Sequence, residues 1–189
     1  MSTPKILAFS GSLRAASFNQ KLVTLAADFA RAAGAEVTLI SLRDFRLPLF
    51  DQDLESEEGM PAAGRELKAL FAEHDGLIIA SPEYNSMITP ALKNAIDWVS
   101  RVTEPDEPML SALTGKSAAI LSASPGGYGG VRSLGFLRPF LENIGISVLE
   151  DQVTIPTAHE AFAADGTLVD AAQAEAVKIL AEKLVQKLA

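Results

Sequence analysis

Phe9-Ser10-Gly11-Ser12-Leu13-Arg14-Ala15-Ala16-Ser17-Phe18-Asn19 is a small-residue loop that follows directly on the apolar run Lys5-Ile6-Leu7-Ala8-Phe9. The run has the length of a short buried strand, and residues 19–33 carry apolar side chains at helical spacing. The stretch therefore reads as strand, loop, helix. A helix start presents unpaired N–H groups and the positive end of the peptide dipole, which together suit an anion. Ser10, Ser12 and Ser17 add hydroxyls, Arg14 a guanidinium and Asn19 an amide. One phosphate would be served by this set. A Ser17 or Asn19 that does no more than cap the helix accounts for the same pattern. The loop has neither the G-x-G-x-x-G of dinucleotide sites nor the G-K-[ST] ending of triphosphate sites, and a monophosphate fits that absence.

Outward from this loop, Gly34 stops the first helix and residues 36–40 read as a second strand. Residues 41–60 hold Pro48, Gly59 and the acids Asp51, Asp53, Glu55, Glu57 and Glu58, and are expected as a solvated loop. Its length makes a functional role more common than an idle one, with Leu47, Leu49 and Phe50 packing on the body or on a partner subunit. A helix is expected over 61–73, with His74 at its end as a surface residue. Gly76-Leu77-Ile78-Ile79-Ala80 is a continuous apolar run, the pattern of a central parallel strand covered on both faces.

The polar loop Ser81-Pro82-Glu83-Tyr84-Asn85-Ser86 comes next, then Thr89-Pro90 as cap and first residue of a helix reaching 101. Trp98 on that helix suits the core or a subunit interface. A fourth buried strand over 117–122 leads into Ala123-Ser124-Pro125-Gly126-Gly127-Tyr128-Gly129-Gly130, where glycine permits close approach to the main chain. A flexible connector is the other reading of that loop. A helix over 131–144, a fifth strand starting at 146 and resuming at 153–155, a connector over 156–167 and an amphipathic helix over 168–188 complete the chain.

With 189 residues, 48% of them hydrophobic, the chain suits one domain spanning 1–189. A net charge of −8 argues against a nucleic-acid partner, which demands a basic face. The absence of cysteine excludes disulfides, thiol nucleophiles and thiolate metal sites, and no metal site is expected; His74 and His159 are the only histidines. No apolar run is long enough to span a bilayer, and the N-terminus has no apolar signal core, so a cytoplasmic protein without a membrane partner is expected.

Strands alternating with helices imply an α/β sheet wound on both faces, in which ligands bind beyond the carboxyl ends of the strands. The loops after strands one, three and four share that edge. One offers a phosphate cradle, one an aromatic and an amide, one a glycine-rich backbone. Together they suit a flat ligand with a phosphate tail, the shape of flavin mononucleotide.

Three motifs carry a resemblance to the NAD(P)H-dependent FMN reductase family, whose members reduce quinones, chromate and azo dyes. They are Gly11-Ser12-Leu13-Arg14 with Ser17 and Asn19; Pro82-Glu83-Tyr84-Asn85 with Leu92-Lys93-Asn94-Ala95-Ile96-Asp97-Trp98; and Ser124-Pro125-Gly126 with Gly129-Gly130. Ala15-Ala16 stands where that family often has a basic residue and a glycine. The resemblance implies a flavodoxin-like three-layer fold with a five-stranded parallel sheet in the order 2-1-3-4-5. It implies FMN as cofactor and NAD(P)H as co-substrate, with Ser10, Ser12, Arg14, Ser17 and Asn19 on the phosphate and Phe18 beside it. Pro82, Glu83, Tyr84 and Asn85 would line one edge of the ring, with Ser124, Gly126, Gly127 and Tyr128 near its other contacts. It further implies small-molecule electron acceptors and a homodimer or homotetramer with the flavin near the interface.

The cofactor carries the chemistry, so no catalytic acid or base is assigned. A flavodoxin-type electron carrier is the alternative; such carriers commonly sandwich the ring with aromatics, for which only Tyr84 and Tyr128 are candidates here. A serine hydrolase is disfavoured by the lack of G-x-S-x-G and of a supporting histidine motif.

Overall fold

Five parallel strand positions form the centre of the computed structural model, which describes residues 2–189. β1 (Lys5–Ser10), β2 (Glu36–Ser41), β3 (Gly76–Ala80) and β4 (Ser117–Ala123) lie in the order β2-β1-β3-β4. The fifth position is shared by β5 (Ser147–Val148) and β6 (Val153–Ile155), both paired parallel to β4. The single resumed strand expected there is thus two strands. At the break, the Arg138 guanidinium donates to the carbonyls of Leu149 (2.7 Å) and Glu150 (3.1 Å).

Side chains alternate across the sheet. Ile6, Ala8, Ile78, Ala80, Ala119 and Leu121 pack against α1 (Phe18–Ala32) and the C-terminal helix, Ala171–Leu188. Leu7, Phe9, Leu77, Ile79, Ala118 and Ile120 face the helices Ala62–Glu73, Pro90–Val99 and Val131–Asn143 on the other side. Both faces are dry, which is why the central strands read as unbroken apolar runs. In chain order the second of these five helices is preceded by a short one, Gln52–Glu58, and the last by another, Ala158–Ala161, so the helices are numbered α1 to α7. The chain leaves β1 for β2 on one side and reaches β3 on the other, so the order reverses between β1 and β3.

Residues 41–60 depart from the expected loop. They contain a 3-10 turn, Leu42–Asp44, and α2, capped by Asp51. They are strapped to α4 and the turn after it: Asn94 Nδ2 and Trp98 Nε1 both donate to the Pro48 carbonyl at 2.8 Å, Asn94 Oδ1 accepts from Phe50 N at 2.7 Å, and Arg101 Nε donates to Glu55 at 2.7 Å. Phe50 meets Trp98 edge-on, with ring centroids 5.1 Å apart. Trp98 is therefore core, and Leu47 packs partly against the apolar cluster on this face of the sheet. Leu49, at 77% exposure, stays outside.

His74 is a second departure: it is buried, not a surface residue. Its Nδ1 donates to Leu70 O (2.6 Å), its Nε2 meets Thr38 Oγ1 (2.8 Å), and its carbonyl accepts from Lys116 Nζ. Burial pushes the Lys116 ammonium below its usual pKa, with Asp75 opposing the shift. The connector expected over 156–167 likewise contains α6.

The segment after α4 is fixed by a charged knot. Lys68 Nζ lies 2.5 and 2.6 Å from the two Glu107 carboxylate oxygens and donates to Arg101 O at 2.6 Å. Glu107 also accepts from Thr103 N, Thr103 Oγ1 and Ser111 Oγ. The Lys68 bond above all, then Ser111 and Thr103, lower the Glu107 pKa from 4.5 to about 2. The folded chain thus takes up this proton less readily than the unfolded one. The resulting stabilisation is complete above about pH 4.5 and fades as the pH falls toward 2. Urea titrations of wild type and Glu107→Gln should differ by roughly 1–3 kcal/mol at pH 7, and the gap should narrow steadily below pH 4.5.

Candidate functional site

The loops after β1, β3 and β4 meet in a cleft at the carboxyl edge of the sheet. Ser12, Arg14, Ser17, Phe18, Asn19, Pro82, Glu83, Tyr84 and Ser124 line it. Ala123 and Pro125 do so as well and were not expected; their place beside Ser124 was the only signal. Ser10, Asn85, Gly126, Gly127 and Tyr128 lie outside this lining. A shallower groove of about 750 Å³ runs along the outer face of α1 past Gln20, Lys21, Thr24 and Leu25. It touches the cleft only at Ser17 and has none of the β3 and β4 loops on its walls.

The first loop is a chain of serine-supported turns. Ser10 Oγ, wholly buried, accepts from Ser12 N at 3.2 Å, and Ser12 Oγ accepts from Arg14 N at 3.2 Å. Ser17 Oγ caps α1 through Gln20 N. Each hydroxyl is used as an acceptor there, which leaves the Ser12 and Ser17 O–H groups free to donate. No acceptor among the described residues meets the N–H groups of Ala15, Ala16, Phe18 or Asn19. Nor does Arg14 have an acidic partner among them; its guanidinium lies 6.0 Å from the Phe18 ring. Phe18 stacks on Phe162 of the α6 turn, with centroids 6.2 Å apart. Unpaired donors and an unpaired cation around a helix N-terminus fit the phosphate of FMN.

Two side chains hold this loop to the rest of the site. Thr89 Oγ1 caps α4 through Leu92 N and donates to the Gly11 carbonyl at 2.5 Å. Asn19 forms a reciprocal pair with Ala123: Nδ2 donates to its carbonyl at 2.7 Å, and Oδ1 accepts from its N–H at 2.9 Å. The Asn19 amide is thus directed to the end of β4. Sequence reasoning placed it on a phosphate because a cap-region asparagine gives no sign of a partner 104 residues away.

The second loop is a tight hairpin. Tyr84 and Met87 exchange N–H···O bonds of 3.0 Å, and Asn85 and Ser86 both adopt positive φ, 52° and 66°. Two such residues make the turn whose twist suits a hairpin, and Asn tolerates it better than most side chains.

In the glycine-rich loop the glycines divide by role. A Cβ on Gly130 (φ 88°) would stand 1.9 Å from Ser122 Oγ, and one on Gly129 (φ 60°) 2.9 Å from Pro156 N. These two serve packing. Gly127 has nothing within 4 Å of a Cβ and faces open space. Ser124 N donates to Ile155 O, and Ala158 N to Ser124 O, so β6 and α6 clamp the start of the loop. No helix among the described residues is long and apolar enough to cross a membrane, and none of their acid and histidine clusters has a metal-binding arrangement.

A doubly covered parallel sheet in this order, with a helix-start anion cradle at its switch point, defines the flavodoxin-like class. Residues 4–160 match the family described as NADPH-dependent FMN reductase, and the chain belongs to that family. It is 39% identical over 137 residues to a quinone reductase of Escherichia coli, covering 72% of this chain and 69% of that one. It is 36% identical over 167 residues to an NAD(P)H-dependent FMN reductase of Pseudomonas aeruginosa (88% and 85%). Among solved structures it resembles the flavoenzyme NAD(P)H:(acceptor) oxidoreductase FerB of Paracoccus denitrificans, with a TM-score of 0.82, 27% identity and coverage of 97% and 96%. The chain is an oxidoreductase with FMN as cofactor and NAD(P)H as co-substrate.

Replacing Asn19 by Ala strands both Ala123 backbone groups, and urea unfolding should show a loss of roughly 1–3 kcal/mol. Gly130→Ala should cost about 3 kcal/mol from its backbone strain and clash, whereas Gly127→Ala should leave the melting temperature unchanged.

Proposed function

We propose that this chain is an NAD(P)H:quinone oxidoreductase that works through FMN held in the cleft, with residues 1–189 acting as one FMN-binding domain. The observation that carries the reading is the meeting of unpaired N–H donors, Arg14 and the loops after β3 and β4 at one strand edge. When bound, FMN supplies two-electron transfer from the nicotinamide to an acceptor. Ser12, Ser17, Arg14 and the free N–H groups of residues 15–19 would hold its phosphate, and Ser10 would support them from beneath. Pro82, Glu83, Tyr84 and Asn85 on one side, and Ser124, Gly126, Gly127 and Tyr128 on the other, would flank the ring.

Only Tyr84 and Tyr128 supply aromatic surface at that end, which leaves a ring face open to flat acceptors. The same openness extends the reading to azo compounds, free flavin and metal oxyanions such as chromate. Leu13, Tyr84, Met87 and Tyr128 are exposed around the loops, which supports a homodimer or homotetramer with the cleft near the interface. The proposal includes a cytoplasmic location for this chemistry.

Purified protein incubated with FMN should show flavin bands that bleach anaerobically with NADPH and return with a quinone; bands that NADPH cannot bleach would mark an electron carrier instead. Arg14→Ala should weaken FMN binding tenfold to a hundredfold, the worth of one charge-assisted contact at roughly 1.5–3 kcal/mol, and an unchanged affinity would place the phosphate elsewhere.

A further inference from the structure

Glu83 lines the cleft, yet all the hydrogen bonds of its carboxylate go to α5. Oε2 accepts from Arg132 N at 3.1 Å and Ser133 N at 3.2 Å. Oε1 accepts from Arg132 Nε at 2.9 Å and stands 2.8 Å from Arg132 Nη2. The Glu83 side chain is only 9% exposed. Its place follows from the fold: α5 starts at Gly130, which has no side chain to cap it, so the first-turn N–H groups find their acceptor on the neighbouring loop.

The second partner carries the contact outward. The Arg132 guanidinium lies 5.1 Å from the centroid of the Tyr128 ring, and Tyr128 is 70% exposed. One carboxylate therefore meets two sources of positive charge, a helix N-terminus and a guanidinium. It also ties the β3 loop to the β4 loop.

We propose that Glu83 is a positioning residue that cancels the positive charge at the start of α5 and, through Arg132, sets Tyr128 beside the cleft. It acts on the reduction potential of the bound cofactor without touching the reacting atoms. This rests on the FMN reading above. With Glu83 neutralised, Arg132 and the helix start are left uncompensated beside the ring and favour the reduced, more negative flavin. With Arg132 removed instead, the excess is negative and the oxidised flavin is favoured.

The test is the midpoint potential of bound FMN in wild type, Glu83→Gln, Arg132→Gln and the double variant, with the melting temperature of each apoprotein alongside. Glu83→Gln keeps an oxygen for the two N–H groups, so the apoprotein should melt near wild type. The potential should rise by a tenfold gain in preference for the reduced form, about 30 mV for a two-electron couple. It should fall in Arg132→Gln and return toward wild type in the double variant. An unmoved potential in Glu83→Gln, or a double variant as shifted as the single, would overturn the proposal. If Glu83→Gln does not retain FMN, Arg132→Gln decides: a lowered potential supports the proposal and an unmoved one overturns it. Wild-type protein that takes up no FMN would overturn the cofactor reading itself, and this inference with it.

Discussion

The reciprocal bond between the Asn19 side chain and the Ala123 backbone joins the start of α1 to the end of β4 across a gap of 104 residues. Everything at the cleft depends on that junction. β1 and β4 are not neighbours in the sheet, since β3 lies between them, so ladder hydrogen bonds alone cannot fix the first loop against the third. A buried amide with both ends satisfied does so with directional bonds, and an unpaired backbone group would be costly there. Thr89 adds a second tie by holding the Gly11 carbonyl from the cap of α4.

The same economy appears at the other loops. Glu83 caps a helix that has no cap of its own, and β6 and α6 clamp Ser124 by backbone bonds. Side chains that look available for a ligand are engaged in holding the loops. The groups left free are backbone N–H donors, the Ser12 and Ser17 hydroxyl protons and the Arg14 guanidinium. A site built in this way presents a rigid donor surface to an anion, in keeping with a cofactor that carries the reaction while the protein orients it.

The sheet was legible in the sequence because burial on both faces leaves unbroken apolar runs such as 76–80, and the loops at its carboxyl edge followed from the winding rule. What the sequence did not reveal was tertiary. The strap over 48–55 is fixed by Asn94, Trp98 and Arg101, whose helical spacing shows a shared face but not what covers it. His74 looked like a helix-end surface residue, yet Thr38 and Leu70 bury it. Ser12, Arg14 and Ser17 could be named as candidates because phosphate-binding chemistry has few residue types at a helix start. The redirected roles of Asn19 and Glu83 were not legible, because a polar side chain does not announce its partner.

We propose that the three loops hold FMN with its phosphate at the start of α1. A crystal structure of the protein with FMN tests it most directly. The phosphate should lie within hydrogen-bond distance of Ser12, Ser17 and the Phe18 and Asn19 N–H groups, with the ring between the Pro82 and Ser124 loops and the Asn19–Ala123 pair intact. A phosphate seated in the outer groove beside Gln20 and Lys21, or an Asn19 amide turned away from Ala123 to reach it, would rule this placement out.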